Sequence, residues 1–389
     1  MWFLALMLFS FSFGIDLKNA LESALEYSPS IKALKEEQKS FEGKALTYRS
    51  FLNPSVGVSF GNFGTSKESF NKNPLYGVSY SQPILLYPLG RLSKEATEKE
   101  KEAFGLQIER EKNQLKAEVY RSFYDALYKK ELLRIAQENL KLSQELYNFV
   151  KRLYELGETT KLELFRAERE LQTAKTELEL ARVDYQNALR SLSSLVGREV
   201  QEVEGRIEEL KNLEPLNPDD TPQVRYYQLA IDGVRKNIEL ERLYAKPQVS
   251  IELLGEKVAD RNYGYRLSVS TTLPLFYKRE GEIIQLLARA NSLKYQRERE
   301  IINTRSQYEV IREKYNTLRR EFEKTERELL PRAQEELSLA IKSYKLRTIT
   351  LLELSDTKKR YLELLKYRAE LLMKAHEEFS RYLSLGGKL

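Results

Sequence analysis

The chain carries the same series of short motifs twice, and this internal repetition limits its fold more than any other feature of the sequence. "NPSVGV" at 53–58 returns as "KPQVSI" at 246–251. "YELGETTKLEL" at 154–164 returns as "YKLRTITLLEL" at 344–354. Because the spacing stays close to about 190 residues, we interpret the chain as two copies of one structural unit.

The two copies predict a domain organisation with matching elements. Residues 1–14 form an apolar run of signal-peptide length and are predicted to be a signal peptide, with a short buried helix as the alternative. The first repeat is placed at 15–205, a linker at 206–221 and the second repeat at 222–389. The first repeat is predicted to contain a helix at 29–50, strands at 53–62 and 74–86, a long helix at 92–156 and a return helix at 158–196. The second is predicted to contain a helix at 222–245, strands at 247–258 and 263–276, a long helix at 282–346 and a return helix at 348–385.

The long helical segments show the spacing of helices that pack side by side. Large and small apolar residues alternate at heptad intervals in the first return helix, which favours knobs-into-holes packing. This stripe comprises Leu164, Ala167, Leu171, Ala174, Leu178, Ala181, Tyr185, Ala188 and Leu192. A helix of ~65 residues is ~100 Å long, more than an ordinary globular domain accommodates. A plain coiled-coil rod would explain the helices, but it would not explain the strands.

The strand segments alternate strictly between apolar and polar residues. In the last of them Leu267 and Val269 share one face, whereas Ser268 and Ser270 share the other. Such alternation suits a transmembrane β-barrel, because only a closed barrel satisfies the backbone of strands in lipid. A sheet packed against the chain's own helices is the alternative. Four strands cannot close a barrel alone: two chains would supply eight, and three would supply twelve. The small polar inner face favours a water-filled lumen and therefore a trimer.

Composition removes several classes of function. The 64 basic and 58 acidic residues are interleaved along the chain, which is typical of solvated helix surfaces rather than of nucleic-acid binding. Cysteine is absent. The single histidine, His376, falls on an apolar heptad seam, which predicts a packed residue. With no phosphate-binding loop and no catalytic constellation, the chain is predicted to be no enzyme and to need no cofactor or metal.

Several longer motifs resemble the outer membrane efflux protein family, the TolC-like trimeric channels. They are "NPSVGVSFG", "SQPILLYPLGR", "YELGETTKLELFRAERELQTAK" and the half-ending "ALRSLSSLVG". The family pattern G-x-x-[ST]-x-L-[DE] is met by Gly157, Thr160, Leu162 and Glu163. In the second repeat Arg347 replaces the glycine.

The resemblance implies a mixed α/β membrane protein, in which each protomer is an internal duplication. Three protomers would form a twelve-stranded transmembrane β-barrel, continuous with a long twelve-helix periplasmic α-barrel. Such a homotrimer is the passive exit duct of a tripartite efflux pump or type I secretion system. Its partners would be a periplasmic adaptor protein, an inner-membrane transporter and outer membrane lipid, with no nucleic acid. The alternative is a coiled-coil scaffold of the envelope that has no pore.

The resemblance also predicts functional residues at the periplasmic tip, where the long helices turn. The expected adaptor contacts are Gly157, Glu158, Thr159, Thr160, Thr348, Ile349 and Thr350. Rings of acidic side chains close the tip in the family, and these positions correspond here to Glu163, Glu353 and Asp356. Three copies of a carboxylate around a narrow axis would attract cations. An ordinary exposed helix charge is the alternative for each of them.

Overall fold

A computed structural model describes residues 14–49, 52–62, 74–258 and 262–389. Over these residues the chain is mostly helical and contains one four-stranded sheet. The predicted signal peptide lies outside the described residues except for Gly14. In the described part of the chain, no helix is long and apolar enough to cross a bilayer.

The helices and strands follow one another in an order that is similar in the two halves. The helices are α1 (Leu17–Tyr27), α2 (Pro29–Arg49), α3 (Leu89–Glu155), α4 (Lys161–Val196), α5 (Pro222–Tyr244), α6 (Glu280–Lys324), α7 (Leu330–Lys345) and α8 (Leu351–Ser384). The strands are β1 (Ser55–Asn62), β2 (Pro74–Ile84), β3 (Gln248–Val258) and β4 (Asn262–Thr272). A short 3₁₀ turn, Pro218–Asp220, precedes α5.

The predicted helix at 282–346 is wrong in one respect, because a π-helical segment at Thr325–Leu329 separates α6 from α7. The N–H of Leu330 donates to the carbonyl of Thr325, five residues back. Pro331 follows directly and has no N–H to donate, so the ordinary ladder cannot continue through it. A wider turn therefore takes the place of a regular one at this point.

Other elements also differ from the prediction. β4 ends at Thr272 rather than at 276, since Pro274 cannot donate to a strand ladder. Helix α1 was not predicted at all. Its first turn is capped by the Asp16 carboxylate, which accepts a hydrogen bond of 2.7 Å from the N–H of Asn19.

The chain divides into two compact units, and each takes segments from both predicted repeats. The helical unit contains residues up to 32, 109–221 and 303–389, and the sheet unit contains residues 33–108 and 222–302. The helical unit has an aromatic core in which Tyr120, Phe123 and Phe379 are almost fully buried. Its predicted linker packs against α6: the Tyr308 hydroxyl donates to the Glu214 carbonyl at 3.1 Å.

The sheet belongs to the sheet unit and has the strand order β1-β2-β3-β4, with every neighbouring pair antiparallel. The register places Leu253 opposite both Tyr80 and Leu267. It also places Glu252 opposite Ser81 and Ser268. Apolar side chains of all four strands therefore share one face, and small polar ones share the other.

Candidate functional site

The first predicted tip turn ends α3 with a glycine in the left-handed conformation. Gly157 has a φ of +74°, and its N–H donates to the Tyr154 carbonyl at 2.9 Å. The next N–H, that of Glu158, reaches back to the Leu153 carbonyl at 2.7 Å. These two hydrogen bonds satisfy carbonyls at the end of the helix, as in the Schellman motif.

The second tip turn has the same backbone geometry without a glycine. Arg347 has a φ of +61°, and its N–H donates to the Tyr344 carbonyl at 3.0 Å. The N–H of Thr348 donates to the Ser343 carbonyl, also at 3.0 Å. The left-handed conformation costs a residue with a Cβ about 1–2 kcal/mol. Arg347 adopts this conformation despite the cost, and the second turn has the same backbone hydrogen-bond pattern as the turn at Gly157.

Each turn leads into a helix that is capped by a threonine and a glutamate. The Thr160 hydroxyl accepts a hydrogen bond of 3.3 Å from the N–H of Glu163 at the start of α4. At the start of α8, Thr350 accepts from the N–H of Glu353 at 3.3 Å, and the Glu353 carboxylate accepts from the N–H of Thr350 at 2.7 Å. This is a complete capping box. Its hydrogen bonds hold the pKa of Glu353 below the usual value.

The structure brings the two tip turns together. The guanidinium of Arg347 forms an ion pair with the carboxylate of Glu158. Both side chains are exposed, so this pair adds little stability, but it shows that the two turns are neighbours. The predicted adaptor-contact residues lie at this place: Gly157, Glu158, Thr160, Thr348 and Thr350 are exposed, and Thr159 and Ile349 are half-buried.

The three predicted ring carboxylates differ in their surroundings. Glu163 is half-buried and accepts a hydrogen bond from the Thr159 hydroxyl. Asp356 is exposed and lies 2.8 Å from a guanidinium nitrogen of Arg360, one turn along α8. Glu353 is exposed and serves as the cap described above. Each carboxylate therefore has a local partner within its own chain.

The sheet supplies the second candidate site, an apolar face that is open to the surroundings of the chain. Its side chains are between 39% and 85% exposed. They are Val56, Val58, Phe60, Tyr76, Val78, Tyr80, Ile251, Leu253, Tyr263, Tyr265, Leu267 and Val269. Soluble monomers seldom expose so large a contiguous apolar patch, which normally marks contact with another protein or with a membrane.

The first half of the chain matches a known protein family. Residues 20–198 match the family model described as "Outer membrane efflux protein". These residues belong to the outer membrane efflux protein family. The match confirms the family resemblance found in the motifs, and it supports an outer membrane location and an efflux role. Among proteins with curated functions, no sequence matches the chain.

Solved structures of membrane proteins share the fold of this chain. A membrane protein from Pseudomonas aeruginosa is 17% identical with a TM-score of 0.80, over 97% of this chain and 92% of its own. The open state of the MtrE outer membrane channel from Neisseria gonorrhoeae is 19% identical with a TM-score of 0.76, over 95% and 89%. The outer membrane protein VceC from Vibrio cholerae is 15% identical with a TM-score of 0.74, over 95% and 96%.

Buried charges in the helical unit of the chain were not found from the sequence. Lys358 on α8 is buried, and its ammonium lies 2.9 Å from the Glu170 carboxylate on α4 and 2.9 Å from the Ser143 hydroxyl on α3. Lys358 therefore links α3, which precedes the first tip turn, to α4 and α8, which follow the two turns. The three residues are far apart in the sequence, so no local pattern links them.

A second buried cation, the guanidinium of Arg368, contacts carboxylates from three segments of the chain. Arg368 on α8 lies 2.9 Å from Glu208 of the predicted linker and 3.7 Å from Glu131 on α3. It also contacts Glu326, which belongs to the π-helical segment, and its guanidinium lies 5.7 Å from the Phe322 ring centroid. Arg368 thus holds the linker and the π-helical segment against α8.

His376 is buried as the heptad pattern predicted. Its Nδ1 lies 2.8 Å from the Tyr120 hydroxyl, its Nε2 lies 2.7 Å from the Ile207 carbonyl, and its ring stacks on Tyr124. Burial lowers the pKa of His376 to about 4. No group of side chains with metal-ligating spacing occurs in the described part of the chain.

Proposed function

We propose that the chain is the outer membrane channel of a tripartite efflux pump or type I secretion system, and that it acts as a passive exit duct. The observation that carries this proposal is the exposed apolar face shared by all four strands of an efflux-family chain. A hydrocarbon solvent gives these side chains a favourable environment, while the opposite, polar face lines a water-filled passage.

The strand order supports a barrel that is built by several chains. β1 and β4 stand at the two ends of the order, so each has one edge without a neighbour in the described part of the chain. Unpaired edges are not tolerated in lipid, so the edges must meet those of other copies. Three chains give twelve strands and a lumen, and the helices then give the periplasmic α-barrel of twelve helices. The similar halves of each protomer would be an internal duplication.

The two neighbouring tip turns are proposed as the periplasmic end of the channel. Gly157–Thr160 and Thr348–Thr350 would contact a periplasmic adaptor protein, and an inner-membrane transporter would supply the energy. Glu163, Glu353 and Asp356 would contribute carboxylates to the closed tip, which the adaptor opens. The rigid caps at Thr160 and Thr350 support this role, since they place both loops at defined positions.

The tip assignment is tested by removing charge without removing the cap. Glu353→Gln keeps a side chain that completes the capping box, and Asp356→Asn keeps the size of the side chain. In planar bilayers we expect this double variant to have a weaker cation preference than the parent chain. Glu363→Gln, an exposed carboxylate farther along α8, serves as the control and leaves the preference unchanged.

The outcomes distinguish a wrong assignment of the tip residues from a wrong assignment of the channel function. Conductance with unchanged cation selectivity in the double variant would contradict the assignment of Glu353 and Asp356. A parent chain without any conductance would contradict the channel itself. A pore-free coiled-coil scaffold is the alternative, and it predicts no membrane fractionation and no heat-modifiable trimer on gels. That alternative leaves the exposed apolar face of the sheet unexplained.

A further inference from the structure

The polar face of the sheet carries few charges, and they do not balance. Among the described side chains of this face, only Glu252, Glu256 and Arg266 are charged. The remaining positions are mostly serine and glycine. Lys257 belongs to the opposite face, where its ammonium lies 5.5 Å from the centroid of the Tyr263 ring. The polar face therefore has one net negative charge per chain.

Two of the three charges compensate each other. A guanidinium nitrogen of Arg266 on β4 lies 2.9 Å from the Glu256 carboxylate on β3. No hydrogen bond or ion pair is made by the Glu252 carboxylate within the residues that the structure describes. Its direct neighbours across the ladder are Ser81 and Ser268, which are too short to cover it. Glu252 is thus the uncompensated charge of this face.

We propose that Glu252 is a selectivity-determining residue for cations in the strand section of the channel, independent of the acidic residues at the tip. This inference rests on the proposed trimeric channel. Three chains would place three Glu252 carboxylates at one level of the lumen, because the residue occupies the same register position in each copy. Charge rings of this kind raise the local concentration of the oppositely charged ion.

The effect should depend strongly on salt. A lumen lined by twelve strands is wide, so the carboxylates act over a distance rather than by direct coordination. The screening length is about 30 Å at 0.01 M salt and about 10 Å at 0.1 M. Cation preference from Glu252 is therefore expected in dilute salt and should fade as the salt concentration rises.

The test compares reversal potentials in planar bilayers under a KCl gradient near 0.01 M, with variants that shift the charge in both directions. All are made in the Glu353→Gln, Asp356→Asn background, so that the tip does not mask the strand section. Glu252→Gln is expected to lower the cation-to-anion permeability ratio by about twofold. Arg266→Gln leaves Glu256 uncompensated and is expected to raise the ratio. Ser268→Ala, a neutral change beside Glu252, is expected to leave it unchanged.

The possible results distinguish a failure of the Glu252 inference from a failure of the proposed channel. If Glu252→Gln conducts normally with an unchanged ratio, or if Arg266→Gln does not raise the ratio, the inference is overturned while the channel stands. If the parent chain forms no conducting trimer, the proposed function and this inference fail together. Glu252→Asp keeps the charge and should keep the ratio, which separates loss of charge from damage to the sheet. A heat-modifiable trimer on gels confirms assembly of every variant.

Discussion

Leu267→Arg is expected to weaken folding of the chain into lipid vesicles by about 2–4 kcal/mol per protomer, because it places a charge on the lipid-facing side of a strand. The Leu267 side chain is 69% exposed in the chain and lies on the apolar face of β4. Ser268 is the next residue and lies on the polar face. Ser268→Arg is therefore the matched control, and we expect it to fold with a change of less than about 1 kcal/mol.

The measurement is a urea titration of folding into vesicles, followed by the heat-modifiable trimer band on gels. Equal losses for Leu267→Arg and Ser268→Arg would show that the two faces meet the same environment. A loss confined to Ser268→Arg would mean that the polar face is the packed one. Either result would contradict the proposed lipid contact of the apolar face.

Arg368→Ala is expected to destabilise the helical unit by about 3 kcal/mol, because it removes the cation shared by three carboxylates. Glu208 and Glu326 would then lose this cation, and Glu131 would keep only its pair with Arg134. The exposed pair of Arg182 and Glu179 on α4 gives the control. Arg182→Ala is expected to cost less than about 1 kcal/mol. The free energy of unfolding of the detergent-solubilised protein is the quantity to measure.

A second substitution separates charge from packing at the same position. Arg368→Met keeps a long side chain against Phe322 but carries no charge. If compensation of the carboxylates dominates, Arg368→Met is nearly as unstable as Arg368→Ala. A Met variant as stable as the parent would show that the side-chain stem, not the charge, holds the linker and the π-helical segment in place.

Much of the local structure could be predicted from the sequence, because it depends on short-range rules. The alternation of apolar and polar residues predicted all four strands, and the spacing of Leu164, Ala167 and Leu171 predicted packed helices. Breaks in the regular elements were harder to foresee. Pro331 lies inside a long helical pattern, and the pattern alone does not show that the chain responds with a π-helical turn.

The arrangement of segments in space was not accessible from local patterns. Each compact unit takes residues from both predicted repeats, so neighbours in the fold are far apart in the chain. Arg368 and Glu208 are an example: each looks like one more helix or loop charge until the fold brings them to 2.9 Å. Interleaved charges hide such pairs in a chain that is 31% charged.

At the second tip turn the sequence contains a helix-capping signal in addition to its acidic side chains. Thr350 and Glu353 have the spacing of a capping box, and the structure forms it completely. The family resemblance alone places Glu353 in a charge ring. Its carboxylate is also the cap of α8, so a test of the ring must preserve the cap, as Glu353→Gln does.

Single-tryptophan variants can show directly whether each face of the sheet contacts lipid or water. Trp2 is the only tryptophan of the chain and lies in the predicted signal peptide, so a Trp2→Phe background has no competing tryptophan fluorescence. In vesicles, Leu267→Trp is predicted to be quenched by lipids with brominated acyl chains, and Ser268→Trp by aqueous iodide. Quenching of both by iodide, with no effect of brominated lipid on either, would contradict the membrane channel.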